Sequence, residues 1–262
     1  MAVRRRPARE ARGRHFLRSR QLAADLVAGA GVARGDLVVE IGGGTGMLTQ
    51  AIAATGARVA AVERDPFLAH RLRVRFARLE DVTIVEADVA EYDWPAVEFA
   101  VVANLPFAGS GAIIDRLLRD PARPLRRADV IVQWEFAAKH AAVSPSTLRG
   151  SYWRAWYDVE IVRRLDRSAF APPPSVDAAV LSFERRAAPR VPAELHESYR
   201  HFLDASFGTH EKVGRALRPS LSPLQLKRLA PVLGFSVEAH ARDLDAGQLA
   251  QLFEASRAPS RR

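Results

Sequence analysis

The sequence predicts an α/β fold, in which a mostly parallel sheet carries helices on both faces and is followed by a small all-helical domain. The first observation is a short apolar run, Leu37–Ile41, of the kind that forms a buried parallel strand. The second is the glycine-rich turn Gly42–Gly46, which leads into a helical pattern from Met47. The third is the helical spacing of apolar residues beyond residue 185. A strand, a glycine turn and a helix together open a nucleotide-binding β-α-β unit.

The other elements are predicted from apolar patterning and capping residues. Ser19 is a suitable N-cap for a helix that extends to about Ala28, and Pro66 stands at the start of a helix with a basic face. Apolar runs predict the further strands, at 58–62, 82–86, 99–103, 128–134, 159–163 and 178–183. Helical spacing and capping predict the remaining helices, over 110–119 and 195–207 and from Pro223 and Asp245 onward. Residues 144–150 are polar and are predicted as a loop.

The chain divides into three predicted segments. Residues 1–14 combine Arg, Ala, Pro and Gly without apolar periodicity, which predicts a basic, disordered tail. Residues 15–185 hold the strand pattern, and a charged, proline-punctuated boundary separates them from a helical domain over 186–262. The formal charge of +9 is the sum of +7 on residues 1–20, −3 on residues 21–184 and +5 on residues 185–262, so the positive charge lies at the two ends. Basic ends indicate either a polyanionic partner, with nucleic acid as the leading candidate, or a solvated tail in an Arg-rich composition.

Composition narrows the class of protein. The 262 residues include no cysteine, which excludes a disulfide framework and a thiolate metal site. The seven histidines show no ligand spacing, so no metal is predicted. No apolar run reaches membrane length, and the N-terminus lacks the apolar stretch of a signal peptide. We therefore expect a soluble, cytoplasmic protein without membrane contact.

Four predicted strand ends carry glycine or polar residues, at Gly42–Gly46, Glu63, Asp88 and Asn104–Phe107. Ligands of a doubly wound sheet bind outside the carboxyl ends of the strands, so these positions are expected to share one crevice. Glu63 stands about twenty residues after the first glycine, where an acid accepts hydrogen bonds from a ribose. Asp88 is suited to accept from an adenine amino group. The dinucleotide motif G-x-G-x-x-G fails because Met47 occupies its last position, which ranks a nicotinamide oxidoreductase last.

The residues Asn104, Leu105, Pro106 and Phe107 carry the most specific chemical signal. The exocyclic amine of a purine is a poor nucleophile, because its lone pair is delocalised into the ring. The side-chain oxygen of Asn104 and the carbonyl of Leu105 can accept hydrogen bonds from this amine and stabilise the positive charge that develops during methyl transfer. Pro106 stiffens the turn, and Phe107 offers a face on which an unstacked base can lie.

Together these motifs resemble the rRNA adenine-N6 dimethyltransferase family. The resemblance covers nearly the whole chain after the basic tail. It rests on His15-Phe16-Leu17, Glu40-x-Gly42-x-Gly44-x-Gly46, Glu63, Asp88, Asn104-Leu-Pro-Phe107 and Phe170-x-Pro172-x-Pro174-x-Val176. Within this superfamily the chain is most similar to the erythromycin-resistance (Erm) methylases of actinobacteria. The family implies a Rossmann-like catalytic domain that depends on S-adenosylmethionine (SAM), over 15–185, and a helical RNA-binding domain over 186–262.

The resemblance also implies the reaction and its partners. The cofactor is SAM, and the acceptor is the N6 amine of one adenine in the peptidyl-transferase region of 23S rRNA, either naked or in a pre-50S particle. Its methylation blocks the binding of macrolide, lincosamide and streptogramin B antibiotics. A monomer without a metal is expected.

The family motifs assign roles to individual residues of this sequence. The implied cofactor contacts are His15, Leu17, Gly42, Gly44, Glu63, Asp88 and Asn104. Phe107 and Phe170 would sandwich the target adenine beside the catalytic turn Asn104-Leu105-Pro106. One departure is Arg14, which stands where the family usually has Gln.

Two alternatives remain open. A housekeeping dimethylase of small-subunit rRNA shares every SAM motif, but such proteins typically follow Asn-Leu-Pro with Tyr and Asn-Ile. Here Phe107-Ala-Gly-Ser110 follows, and Trp134-Glu135 stands at a second point of difference, which favours the Erm interpretation. A non-catalytic RNA-binding protein on the same scaffold is disfavoured, because a binding module does not need the acceptor pair at Asn104 and Leu105.

Overall fold

A computed structural model describes residues 15–144, 146–209 and 211–257. The predicted tail, residues 1–14, lies outside the described residues. The strands are β1 (Phe16–Leu17), β2 (Leu37–Ile41), β3 (Arg58–Glu63), β4 (Val82–Glu86), β5 (Phe99–Asn104), β6 (Leu125–Gln133), β7 (Tyr157–Leu165), β8 (Phe170–Ala171) and β9 (Ala178–Arg185). The helices are α1 (Arg20–Gly29), α2 (Met47–Ala53), α3 (Pro66–Phe76), α4 (Ser110–Leu118), α5 (Trp134–Ala141), α6 (Leu148–Trp153), α7 (His196–Gly208), α8 (Val213–Ala216), α9 (Pro223–Leu233) and α10 (Ala246–Arg257).

The main sheet has seven strands in the order β4-β3-β2-β5-β6-β9-β7. Strands β4, β3, β2, β5 and β6 pair with their neighbours in parallel. Helices α2, α3 and α4 join β2 to β3, β3 to β4 and β5 to β6, whereas residues 87–98 join β4 to β5 without a helix. The strand order reverses at β2, which lies between β3 and β5. This arrangement confirms the predicted α/β fold and creates a crevice at the carboxyl ends of β2 and β5.

A second, two-stranded sheet ties the start of the described chain to a later segment. Strands β1 and β8 pair antiparallel, with Phe16 opposite Ala171 and Leu17 opposite Phe170. Leu17 and Phe170 are both buried in the apolar core that also holds β2 and α1. The pairing therefore fixes His15, directly before β1, over the main sheet.

Capping residues explain where several helices begin. The Ser19 hydroxyl accepts from the Leu22 N–H, so α1 starts at Arg20 as predicted. The Asp65 carboxylate caps α3, in which Pro66 occupies the first position. Ser222 and Gln225 form a reciprocal capping box before α9.

Two predictions name the wrong type of element, and strands β6 and β7 each begin earlier than predicted. Strand β6 ends at Gln133, and Trp134 begins α5 instead of ending the strand. The predicted loop over 144–150 gives way to α6 at Leu148, because the Thr147 hydroxyl accepts from the Gly150 N–H at 3.0 Å and caps the helix. The polar composition that predicted a loop thus belongs partly to an N-cap.

Contacts divide the chain into two compact units. The first takes in residues up to 117, together with 123–137 and 161–182. The second takes in 118–122, 138–160 and the chain from 183 onward. The division thus differs from a single cut at residue 186, and the assignment of catalysis and RNA binding to separate segments stays a prediction. Among the described helices, none is both long enough and apolar enough to cross a membrane.

Gly46 is the residue of the glycine turn on which the start of α2 depends. It has a left-handed conformation, with φ at 80°, as the N-cap of α2. A Cβ atom at this position would lie 2.8 Å from the Phe76 ring and 2.9 Å from the Leu72 side chain. The turn therefore needs glycine both for its backbone conformation and for its packing against α3.

We predict that Gly46→Ala lowers the free energy of unfolding by about 2–4 kcal/mol, the sum of left-handed strain and overpacking. Gly31→Ala is the matched control, since Gly31 has a φ of 65° but no atom within 4 Å of the added Cβ. Gly31→Ala should lower the free energy of unfolding only by the contribution of left-handed strain, about 1–2 kcal/mol. Urea denaturation of both variants measures the difference, and equal losses would contradict a role for packing at Gly46.

Candidate active site

A cavity of about 420 Å³ opens at the carboxyl ends of β2, β3, β4 and β5, which lie side by side in the sheet. Its wall includes eight of the residues singled out from the sequence: His15, Gly42, Gly44, Glu63, Asp88, Asn104, Leu105 and Pro106. Motifs that are up to 91 residues apart in the chain thus meet in one crevice. The parallel topology produces this convergence, because every strand of the group ends at the same edge.

The Glu63 carboxylate joins the glycine turn to the end of β3. Its Oε2 accepts from the Gly44 N–H and its Oε1 from the Asp65 N–H, both at 2.9 Å. The residue is 6% exposed. Each carboxylate oxygen keeps a second lone pair, so Glu63 can hold the turn and still accept hydrogen bonds from the hydroxyls of a ligand.

Asp88 lies on the open side of the cavity. Its Oδ1 accepts from the Ala90 N–H at 2.8 Å, and its Oδ2 is 4.0 Å from the Arg64 guanidinium. Both side chains are largely in solvent, which makes this ion pair weak. Asp88 therefore presents acceptor capacity to the cavity rather than a buried charge.

Asn104 has the most unusual hydrogen bonding in the site. Its Nδ2 donates to the His15 carbonyl at 2.7 Å, and His15 Nδ1 lies 2.8 Å from the Pro172 carbonyl. The His15 carbonyl needs a donor, which fixes the orientation of the Asn104 amide. The Asn104 Oδ1 is then left buried, with no hydrogen-bond partner in the described structure. Buried acceptors without partners are rare, so this oxygen is available to a donor that enters the cavity.

Three other predicted residues lie away from the cavity wall. Leu17 packs in the core behind His15, and Phe170 is completely buried in the same core. The Phe107 ring meets the Phe170 ring edge to face, with centroids 6.2 Å apart and planes at 75°. A sandwiched base needs two parallel faces about 7 Å apart, twice the ~3.4 Å stacking distance. The sandwich of Phe107 and Phe170 therefore stays a prediction that requires the rings to move apart and turn.

Glu40 is a buried acid beneath the glycine turn. It is 1% exposed, and its Oε2 accepts from the Thr49 hydroxyl at 2.5 Å. The pKa of Glu40 is raised to about 8, mainly by burial, with the hydrogen bonds from Thr49 opposing this and the charge of Glu63 adding to it. Glu40 is thus mostly protonated at neutral pH, so the side chain beneath the glycine turn is uncharged.

The cavity also includes residues that the sequence did not single out for a role, among them Phe16, Arg64, Leu68, Val89 and Arg116. Phe16 and Val89 adjoin predicted residues and could have been found from their neighbours. Arg116 gave no signal, because a single arginine on an amphipathic helix normally faces solvent. Within the ranges that the structure describes, no cluster of three His, Cys, Asp or Glu side chains could hold a metal ion.

The parallel sheet, its glycine turn and the acids at the next two strand ends define the class of SAM-dependent methyltransferases. The comparisons with known proteins narrow this class. The family model of ribosomal RNA adenine dimethylases matches residues 6–255, and the chain belongs to this family. It is accordingly an rRNA adenine N6-methyltransferase of a SAM-dependent family.

Relatives of two kinds resemble the chain. It is 30% identical over 242 residues to the mycinamicin-resistance protein MyrB of Micromonospora griseorubida, with 92% of this chain and 76% of MyrB covered. It is 32% identical over 262 residues to ribosomal RNA small subunit methyltransferase A of Synechococcus elongatus, with 92% of each covered. The crystal structure of the 23S rRNA methyltransferase ErmE matches with a TM-score of 0.79 and 27% identity, over 91% of this chain and 98% of ErmE.

We predict that Glu40 makes stability depend on pH. The pKa of Glu40 is about 8 in the folded state, against 4.5 for the ordinary group, so the folded state favours the protonated acid. The free energy of unfolding should therefore fall between about pH 4.5 and pH 8 by roughly 2–5 kcal/mol, at about 1.4 kcal/mol for each tenfold change in proton affinity. Glu40→Gln should remove this component. Denaturation from pH 5 to pH 8 tests it, with the exposed Glu80→Gln as the control for loss of one carboxylate, and identical pH profiles for wild type and Glu40→Gln would contradict it.

Proposed function

We propose that this protein uses SAM to methylate the N6 amine of a specific adenine in 23S rRNA, in the cytoplasm, and thereby gives resistance to macrolide, lincosamide and streptogramin B antibiotics. The buried, unpartnered Oδ1 of Asn104 is the single observation that carries the chemistry. Asn104 lines a cavity that a small molecule can enter, so this acceptor oxygen is free to bond to a donor of the substrate.

The residues of the cavity fit SAM as the cofactor. The glycine turn lets a ligand approach the main chain, since a Cβ on Gly44 would lie 2.9 Å from the Phe16 ring and would narrow the crevice. Glu63 can accept from the ribose, and Asp88 can accept from the adenine amino group at the open side. The cofactor, when bound, supplies an electrophilic methyl group.

Asn104 acts on the amine of the target adenine. Its Oδ1 accepts one N–H of that amine, and the carbonyl of Leu105 accepts the other. These two acceptors orient the nitrogen and stabilise the positive charge that develops on it as the new N–C bond forms. The bond from Asn104 Nδ2 to the His15 carbonyl keeps the Oδ1 from rotating away, so little reorganisation is needed during the reaction.

Basic residues near the site support an RNA substrate. Arg18 and Arg167 line a second, shallow cavity beside Pro173 and Pro174, on the segment that continues from β1 and β8. Both arginines are exposed. Asp166 lines the same cavity, so two arginines stand against one carboxylate there. The two arginines suit the phosphates next to a target nucleotide, while the flipped base itself determines specificity.

The 23S target is favoured over the small-subunit target by two observations. The match to ErmE has 27% identity and covers nearly the full length of both chains. The turn after Asn104 has Phe107-Ala-Gly instead of the Tyr-Asn-Ile that is typical of the small-subunit enzymes. The small-subunit alternative is supported by the 32% identity to methyltransferase A, so both classes of rRNA belong in the test.

We predict that Asn104→Ala lowers kcat for rRNA methylation about 100-fold or more, the usual cost of removing one preorganised group that stabilises developing charge. The Kd for SAM, from calorimetry, should change by less than about threefold, because the side-chain oxygen acts on the acceptor amine. Ser110→Ala, at the buried start of α4, is the matched control and should keep kcat. A variant that keeps kcat, or that loses turnover only through SAM affinity, would show that Asn104 does not have this role.

The rRNA target is tested in cells of a susceptible host that express the wild type or Asn104→Ala. We expect mass spectrometry to find an N6-methylated adenine in 23S rRNA, and drug resistance to appear, only with the wild type. Methylation confined to the small-subunit rRNA would establish the alternative. An unmodified rRNA in both classes, together with measurable SAM binding, would favour the non-catalytic scaffold.

A further inference from the structure

Arg116 links the helix that follows the catalytic turn to the loop that carries Asp88. Arg116 lies in the last turn of α4 and is half-buried. Its Nε donates to the Val89 carbonyl at 2.8 Å, and its Nη2 donates to the Tyr92 carbonyl at 3.0 Å. One planar guanidinium thus holds two carbonyls of the same loop, 24 and 27 residues away in the chain.

The loop from 87 to 92 has other contacts mainly at its two ends, where the Ala87 N–H donates to the Glu63 carbonyl at 3.2 Å and the Tyr92 ring packs against Trp94. Asp88 adds its weak ion pair with Arg64. The internal bonds of the loop are short-range: the Ala90 N–H donates to Asp88 Oδ1, and the Glu91 N–H donates to the Asp88 carbonyl. Ala90 and Glu91 are exposed, whereas Ala87, Asp88, Val89 and Ala90 line the cavity. Short-range bonds alone leave an exposed loop several conformations, so each bond from outside the loop restricts it further.

We infer that Arg116 is a positioning residue, which fixes residues 88–92 as the cavity wall that receives the purine end of the cofactor. The inference rests on the proposed SAM site and adds a residue to it. Arg116 is not a base or a nucleophile in this role. Its charge strengthens the two hydrogen bonds, and its fork geometry lets it hold both carbonyls at once.

A second arginine provides a matched control. Arg123 Nη1 donates to the Arg116 carbonyl at 2.6 Å and to the Leu117 carbonyl at 3.1 Å, at the end of α4. Arg123 therefore also bridges two carbonyls, and both belong to the helix. Its guanidinium lies 5.7 Å from the centre of the Trp94 ring, beyond the end of the loop, and Arg123 does not line the cavity. Arg123→Met removes a comparable pair of hydrogen bonds and keeps both bonds from Arg116 to the carbonyls of Val89 and Tyr92.

The test compares Arg116→Gln, Arg116→Lys and Arg123→Met with the wild type by calorimetry. We expect Arg116→Gln to raise the Kd for SAM about tenfold or more, in line with the loss of hydrogen bonds from a charged donor. The affinity for S-adenosylhomocysteine should fall by the same factor, because both ligands have the same purine end. The kcat at saturating SAM should stay within about threefold of the wild-type value. Arg116→Lys keeps the charge but lacks the fork, so it should restore only part of the affinity. Arg123→Met should bind SAM as the wild type does.

Hydrogen exchange gives a second readout without any ligand. The amides of Ala90 and Glu91 should exchange faster in Arg116→Gln than in the wild type, and at the wild-type rate in Arg123→Met. Unchanged exchange and SAM affinity in Arg116→Gln, full rescue by Arg116→Lys, or an equal loss of affinity in Arg123→Met would each overturn the role of Arg116. A wild type that binds no SAM would instead overturn the proposed function, so the two failures are distinct.

Discussion

The two hydrogen bonds to the Glu63 carboxylate are the interaction on which the site depends. They connect the backbone at Gly44, after β2, with the backbone at Asp65, before α3. The glycine turn contains several backbone N–H groups that no strand can satisfy, because it leaves the sheet at Gly42. A buried carboxylate satisfies one of them and fixes the turn relative to β3. The same acid can then serve a ligand, so one side chain both builds the crevice and forms part of its surface.

Glu40 and Glu63 place two carboxyl groups near each other at the edge of the sheet, and their surroundings differ. Glu63 accepts a hydrogen bond from a backbone N–H at each carboxylate oxygen. Glu40 is buried with one hydroxyl donor, and burial raises its pKa to about 8. A neutral Glu40 avoids a second negative charge beneath the turn, so the negative charge at this edge is concentrated where ligand hydroxyls can donate to it.

The sequence was sufficient for the fold and for much of the cavity, because both follow from local patterns. Strand ends were visible as apolar runs that stop at Glu63, Asp88 and Asn104, and parallel topology then required these residues to converge. The orientation of each aromatic side chain was not predictable in this way. Phe170 lies in an apolar pattern before prolines, and only the pairing of β8 with β1 shows that its ring faces the core. Arg116 was equally hidden, since its partners are carbonyl groups, which every residue has.

The bonding of Asn104 explains why the proposed catalytic turn follows a buried strand rather than a flexible loop. An acceptor with no partner in a buried position costs stability, on the order of 1–3 kcal/mol. Such a cost persists only if the surrounding structure prevents the amide from turning to solvent. Strand β5 fixes the Asn104 backbone against β6, and the His15 carbonyl holds Nδ2 from the other side. The small sheet of β1 and β8 positions His15. His15 Nδ1 lies 2.8 Å from the carbonyl of Pro172, the residue directly after β8. The segment that carries Phe170 thus supports the orientation of the amide from a distance, which gives the Phe170–Val176 motif a structural role besides any contact with the target base.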